Sequence, residues 1–275
     1  MSDARIFAVV NQKGGVGKTT TSVNLAAALA RAGHRILLID LDPQGNATMG
    51  SGIDKRAAQR TVYHVLLGLG EVSRIRLRSQ AGDYDLLPAN RELAGAEVEL
   101  VELNHRETRL KSALASVRGD YEFIFIDCPP SLSLLTLNGL VAAQQVLIPM
   151  QCEYYALEGL SDLVGTVKRV RAHLNPRLEI GGLVRTMFDA RNSLAQQVSA
   201  QLEAHFADKV FRTLVPRNVR LAEAPSYGKP AVVWDPESKG AQAYVALARE
   251  LLAREGIGEP AAIEPASEGE HEQQT

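Results

Sequence analysis

Residues 6–33 do more than any other stretch to limit what this chain can fold into. An apolar run, Ile6–Val10, leads into NQKGGVGKTT. A helical pattern then closes at Gly33, where a helix end favours a residue at positive φ. Strand, glycine-rich turn and helix in that order form a phosphate-binding unit: backbone N–H groups and the positive helix N-terminus converge on an anion. Gly14, Gly15 and Gly17 let the backbone come close to phosphate oxygens, with Val16 and Thr20 in the same loop. Lys18 is placed for the β- and γ-phosphates, and the Thr19 hydroxyl for Mg²⁺. The standard motif, G-x-x-x-x-G-K-[ST], asks for glycine five positions before Gly17. Gln12 stands there instead, with Lys13 beside it.

The rest of the chain repeats the strand–helix rhythm. Ile36–Ile39, Phe123–Ile126, Val146–Pro149 and Ile180–Val184 are short, β-branched-rich runs that read as buried strands. Helical periods occupy 19–32, 108–117, 134–142, 157–174, 194–206 and 241–254. Alternation of this kind predicts an α/β fold: a doubly wound, mostly parallel sheet with helices on both faces, of the P-loop NTPase type. Residues 43–105 are less regular and read as an insertion or surface subregion. Residues 1–255 are expected to form one domain and 256–275 a disordered tail.

That tail holds five glutamates and no Lys or Arg, and its few apolar residues cannot pay for ordering. The net charge of −2 conceals it: outside the tail, 30 basic residues face 27 acidic ones. A body near +3 is compatible with nucleic acid without arguing for it. No run is apolar enough to span a bilayer, and MSDARIFAVV lacks the features of a signal peptide. Cys128 and Cys152 are not spaced as a metal site or a disulfide framework and suit a reducing compartment, which points to the cytoplasm.

Two further segments supply carboxylates. FIFIDCPP ends an apolar strand in Asp127, the form of a Walker B site that supports Mg²⁺. ILLIDLDPQGNAT carries Asp40 and Asp42 at a strand's C-terminal end, where ligands gather in open parallel sheets. If the strand persists, both side chains lie on one side.

With these segments in hand, the chain resembles the ParA/MinD group of deviant Walker ATPases, most of all small Soj-type ParA proteins. KGGVGKTT, LIDLDPQGNAT, FIFIDCPPSL, PMQCEYYALEGL and VPRNVRLAEAPSYGKP carry the resemblance in order from residue 5 to about 254. It implies that Lys13 reaches across an ATP-bound homodimer to the partner's phosphates. It further implies that Asp42 orients the attacking water, that Asp40 supports the metal, and that Pro216, Arg217 and Asn218 line adenine. Glu153 becomes a candidate for a cross-dimer nucleotide contact. ATP and Mg²⁺ are the implied cofactors.

The implied partners are a second copy, non-specific double-stranded DNA and a ParB-type centromere-binding protein, in a nucleoid-associated cycle of chromosome or plasmid partition. Arg191 matches the family's DNA-contacting residue, with Arg220 and Lys229 as neighbours. Charge alone argues weakly for this, because residues 185–239 hold eight basic against six acidic side chains. A related ATPase that positions another cargo would look similar. A MinD-like membrane cycle needs a basic amphipathic C-terminus, whereas this one is acidic. No helix-turn-helix domain is expected ahead of the loop.

Overall fold

The computed structural model describes residues 3–258, so residues 259–275 of the expected tail lie outside the described residues. Eight strands form one sheet: β1 (Arg5–Val9), β2 (Ile36–Asp40), β3 (Leu77–Ser79), β4 (Tyr84–Leu87), β5 (Phe123–Asp127), β6 (Gln145–Met150), β7 (Glu179–Phe188) and β8 (Val210–Pro216). Their order is β3-β4-β2-β5-β1-β6-β7-β8, and every pairing is parallel except β3 with β4. The fold is a mostly parallel α/β sheet of the P-loop NTPase type. Its long helices are α1 (Lys18–Arg31), α2 (Leu134–Ala142), α3 (Ala156–His173), α4 (Ser193–Phe206) and α5 (Lys239–Arg254).

β1 shows why the runs are continuously apolar. Ile6, Ala8 and Val10 point into one core with Leu135, Leu140, Leu163 and Val167. Phe7 and Val9 point into the other with Leu25, Leu29, Tyr244 and Leu247. A strand covered on both faces has no polar side to show. β1 lies between β5 and β6, and the phosphate loop leaves its C-terminal end. That is the crevice where strand order reverses and open α/β sheets bind ligands. Gly33 takes φ 89°, as its position after α1 required.

Residues 43–105 are not an insertion. β4 joins the sheet beside β2, pairing Leu37 with Asp85 and Ile39 with Leu87. The short helices Val62–Leu67 and Leu93–Glu99 bury Val62, Leu66, Leu93 and Ala96 in the core.

Candidate nucleotide site

The phosphate loop is braced at its entrance, its crest and its exit. At the entrance, Asn11 donates from Nδ2 to the Pro149 carbonyl (2.9 Å) while its Oδ1 accepts from the Lys13 N–H (2.9 Å). That side-chain turn sets the start of the loop, so Gln12 needs no glycine's freedom. At the crest, Thr186 of β7 donates from Oγ1 to the Val16 carbonyl (2.7 Å). At the exit, Gly17 takes φ 87° as the residue before α1, a conformation that penalises a side chain. Lys18 folds back under the loop, and its Nζ donates to the Lys13 carbonyl (3.0 Å). Burial lowers the pKa of Lys18, opposed by the negative charges of Asp127 and Asp42.

Asp40 and Asp127 occupy paired positions at the ends of β2 and β5, and both are fully buried. Asp127 accepts from the Thr19 hydroxyl on Oδ2 (2.8 Å) and from the Ser22 hydroxyl on Oδ1 (2.8 Å). Burial, then the neighbouring Asp40, pushes its pKa up to about 7 against those hydrogen bonds. Thr19 and Asp127 together fit Mg²⁺, which takes few protein oxygens and fills its octahedron with phosphates and water.

Asp40, expected as a metal support, is tied by hydrogen bonds to the loop that follows β2. Its Oδ2 accepts from both the backbone N–H and the hydroxyl of Thr48 (2.7 Å each), and its Oδ1 from the Asp42 N–H (3.2 Å). Through these bonds Asp40 anchors the loop between β2 and the helix Asn46–Gly50. Burial raises its pKa to about 6. β2 ends at Asp40, so Asp42 stands on that anchored loop rather than on a strand face. Asp42 is half-buried; its Oδ1 accepts from the Gln44 N–H (2.9 Å), and Oδ2 has no hydrogen-bond partner among the described residues.

The two raised carboxylates carry a pH consequence. A carboxyl whose folded pKa exceeds its unfolded value of 3.8 adds stability that is complete below that value and lost as pH rises through the folded pKa. These two sites therefore favour the ligand-free fold at about pH 5 over about pH 8. Thermal melts across that range are expected to flatten in Asp127→Asn. An unchanged slope would remove Asp127 as its source.

Beside the loop, a cavity of about 360 Å³ is lined by Gly17, Thr20, Thr186, Met187, Pro216, Arg217 and Asn218, among others. Pro216, Arg217 and Asn218 thus come to the phosphate loop from about two hundred residues away. Tyr244 closes the floor through its hydroxyl contact with Thr21 (3.0 Å). Sequence reasoning missed Ser22, Thr48, Thr186, Met187 and Tyr244. Only Ser22 carried a local signal, one helical turn after Lys18 and on its face.

Lys13 is exposed and ion-paired with Glu153 of the same chain. Both side chains are about half exposed, so the pair is worth at most about 1 kcal/mol and opens readily. Arg191 is 91% exposed and bonded through its guanidinium to Asp189. It borders a depression of about 700 Å³ with Arg217 and Lys239. Arg220 and Lys229 do not line that depression. Arg220 is half-exposed, paired with Glu223 and Asp235, and lies over the Trp234 ring; Lys229 is exposed elsewhere.

A buried lysine, a hydroxyl–carboxylate pair and a cavity around one glycine loop at the sheet's reversal point define a P-loop nucleotide-binding protein. The family model for an AAA domain matches residues 4–180. The sporulation initiation inhibitor protein Soj of Bacillus subtilis is 54% identical over 249 residues, 90% of this chain and 98% of that one. The chromosome partitioning protein ParA of Caulobacter vibrioides is 51% identical over 253 residues, 91% and 95% of the two chains. Among solved structures, a cobyrinic acid a,c-diamide synthase from Mycobacterium smegmatis, with bound ATP analogue and magnesium, matches with a TM-score of 0.81. It is 40% identical, over 94% of this chain and 98% of that one. The chain belongs to the ParA/MinD family of deviant Walker ATPases and is similar to its Soj-type ParA members.

Proposed function

We propose that this chain is an ATP-dependent partition ATPase. It binds Mg²⁺–ATP on the loop 13–20, closes as a homodimer around two nucleotides, and in that state holds non-specific DNA until a ParB-type protein stimulates hydrolysis. The observation that carries the reading is Lys13. It sits on the exposed rim of a loop under which another lysine, Lys18, is buried where the chain's own phosphates would lie, so the charge of Lys13 is available to a neighbouring site. Thr19 and Asp127 would hold the metal, which neutralises phosphate charge when bound. Arg191, Arg217 and Lys239 would meet DNA phosphates, giving an affinity that falls with salt. Among the described residues, no helix is long and apolar enough to cross a membrane.

Arg191→Glu is expected to lower ATP-dependent DNA affinity about tenfold or more and to flatten its salt dependence, while the ATP-bound dimer persists. DNA binding is read by filter retention across salt, and dimer formation by sedimentation. Unchanged DNA affinity would move the surface elsewhere. Wild-type protein that binds no DNA with ATP would favour the alternative class, a small-molecule ligase like the diamide synthase, or a different cargo.

A further inference from the structure

At the N-terminal ends of the strands, opposite the phosphate loop, the sheet's rim holds a small cleft whose charge is all of one sign. Lys111, Arg118 and Arg177 line it with Gln144 and Asn175 among others, and none of its lining residues is acidic. The three cations come from separate segments. Lys111 lies on the helix Arg109–Leu114, Arg118 on the turn before β5, and Arg177 on the link between α3 and β7. Like charges brought to one cleft repel, and an anion between them reverses the sign.

Little in the fold satisfies these cations. Lys111 and Arg177 are exposed, and neither makes an ion pair or a side-chain hydrogen bond among the described residues. Arg118 is paired with Asp3, whose side chain is 67% exposed, and so open a pair is weak. The Arg118 Nε is buried without a hydrogen-bond partner among the described residues, which marks a place for an acceptor. The carbonyls at the end of α2 do not account for the cluster. Asn175 Nδ2 already donates to those of Leu140 (3.0 Å) and Ala143 (2.6 Å). Glu179 is exposed at the head of β7 but does not line the cleft.

Size narrows the ligand. The volume is about 30 Å³, room for one small polar group such as a carboxylate and not for a nucleotide. The chain carries such groups close by. Arg5 pairs with Glu255 just past the end of α5 (2.9 Å), and Gln145 Nε2 donates to Glu255 Oε1 (2.8 Å); the adjacent Gln144 lines the cleft. Residues 259–275 follow, with Glu259, Glu264, Glu268, Glu270 and Glu272 and no Lys or Arg. Six extended residues span about 20 Å, so the first two of these glutamates can reach a cleft that begins one residue from the anchor of Glu255. Tethering holds the carboxylates at an effective concentration of about millimolar, where weak contacts suffice.

We propose that the cleft binds a carboxylate of this chain's own acidic tail, Glu259 and Glu264 being the nearest in sequence. The tail's charge is thereby kept at the end of the sheet opposite the phosphate loop and Arg191. This holds whether or not the chain partitions DNA.

The test places a photo-crosslinker at Ser112, exposed beside Lys111, in the full-length chain, and maps the products by mass spectrometry. Without nucleotide and at low salt, the main product is expected to join position 112 to residues 259–272 of the same chain. Its yield should fall about fivefold or more at about 0.5 M salt, where exposed charges are screened. Lys111→Glu/Arg177→Glu, both at exposed positions, should lose it to the same extent at low salt. Glu→Gln at all five tail positions, which alters no described residue, should lose it too. Glu→Lys at those five positions in the Lys111→Glu/Arg177→Glu background should restore it, as a merely structural effect would not. Equal yields in wild type and in either charge-altered variant overturn the cleft as an anion site. Products that join two chains, or that join position 112 to added duplex DNA in place of the tail, overturn the chain's own tail as its occupant.

Discussion

Asp42→Ala is expected to abolish most ATP turnover, by about 10²- to 10⁴-fold, while leaving ATP binding nearly intact. Binding should survive because the groups proposed to grip phosphate and metal are elsewhere: Lys18, the glycine loop and Thr19 with Asp127. Turnover should suffer because Asp42 offers, beside Lys18, a carboxylate oxygen with no hydrogen-bond partner among the described residues. Oδ1 is fixed by the Gln44 N–H, and the loop beneath is fixed by Asp40. A carboxylate oriented on one oxygen and open on the other suits the positioning of a water. ATP-bound dimer should accumulate on DNA in this variant, visible as slow release after competitor is added. Asp42→Asn, which keeps the bond from Gln44 but not the charge, should be nearly as slow. Wild-type turnover in either variant would remove Asp42 from the mechanism.

The site residues whose positions were legible in the sequence share one property: their place follows from a neighbour in the chain. Lys18 and Thr19 take their places from the glycines before them, and Asp127 from the apolar strand it ends. Strands buried on both faces announced themselves as unbroken apolar runs. β4 did not, because YDLL is four residues long and interrupted by Asp85. β8 lies at the sheet's edge, and its polar Arg212 and Thr213 break the run. Asp40 shows the deeper limit. Its position on the strand was legible, but its role depends on Thr48 folding back onto it, a tertiary bond no periodicity reveals. Arg220 is similar: a surface charge in the sequence, whose pairing with Glu223 and Asp235 only the fold reveals.

Lys13 gives the second large effect, and the pairing with Glu153 makes its test sharper. In one chain the lysine is bound outward to Glu153, across 140 residues of sequence, and its ammonium is not the group folded under its own loop. Lys13→Ala should therefore leave monomeric ATP binding within about threefold of wild type, where Lys18→Ala loses it. Hydrolysis should fall by about 10³-fold or more, the scale of a charge supplied in trans to a transferring phosphoryl group.

Mixing two dead proteins separates the alternatives. In a dimer of Lys13→Ala with Asp42→Ala, one of the two sites keeps its own Asp42 and receives the partner's intact Lys13. The other site lacks both. Equal mixing forms such dimers about half the time, so activity should return to roughly a quarter of wild type. A lysine acting only within its own chain leaves every site in the mixture defective, and no activity returns. Restoration would establish that the lysine beside the missing glycine belongs to the neighbouring subunit's chemistry; its absence would return Lys13 to the surface as one half of a weak ion pair.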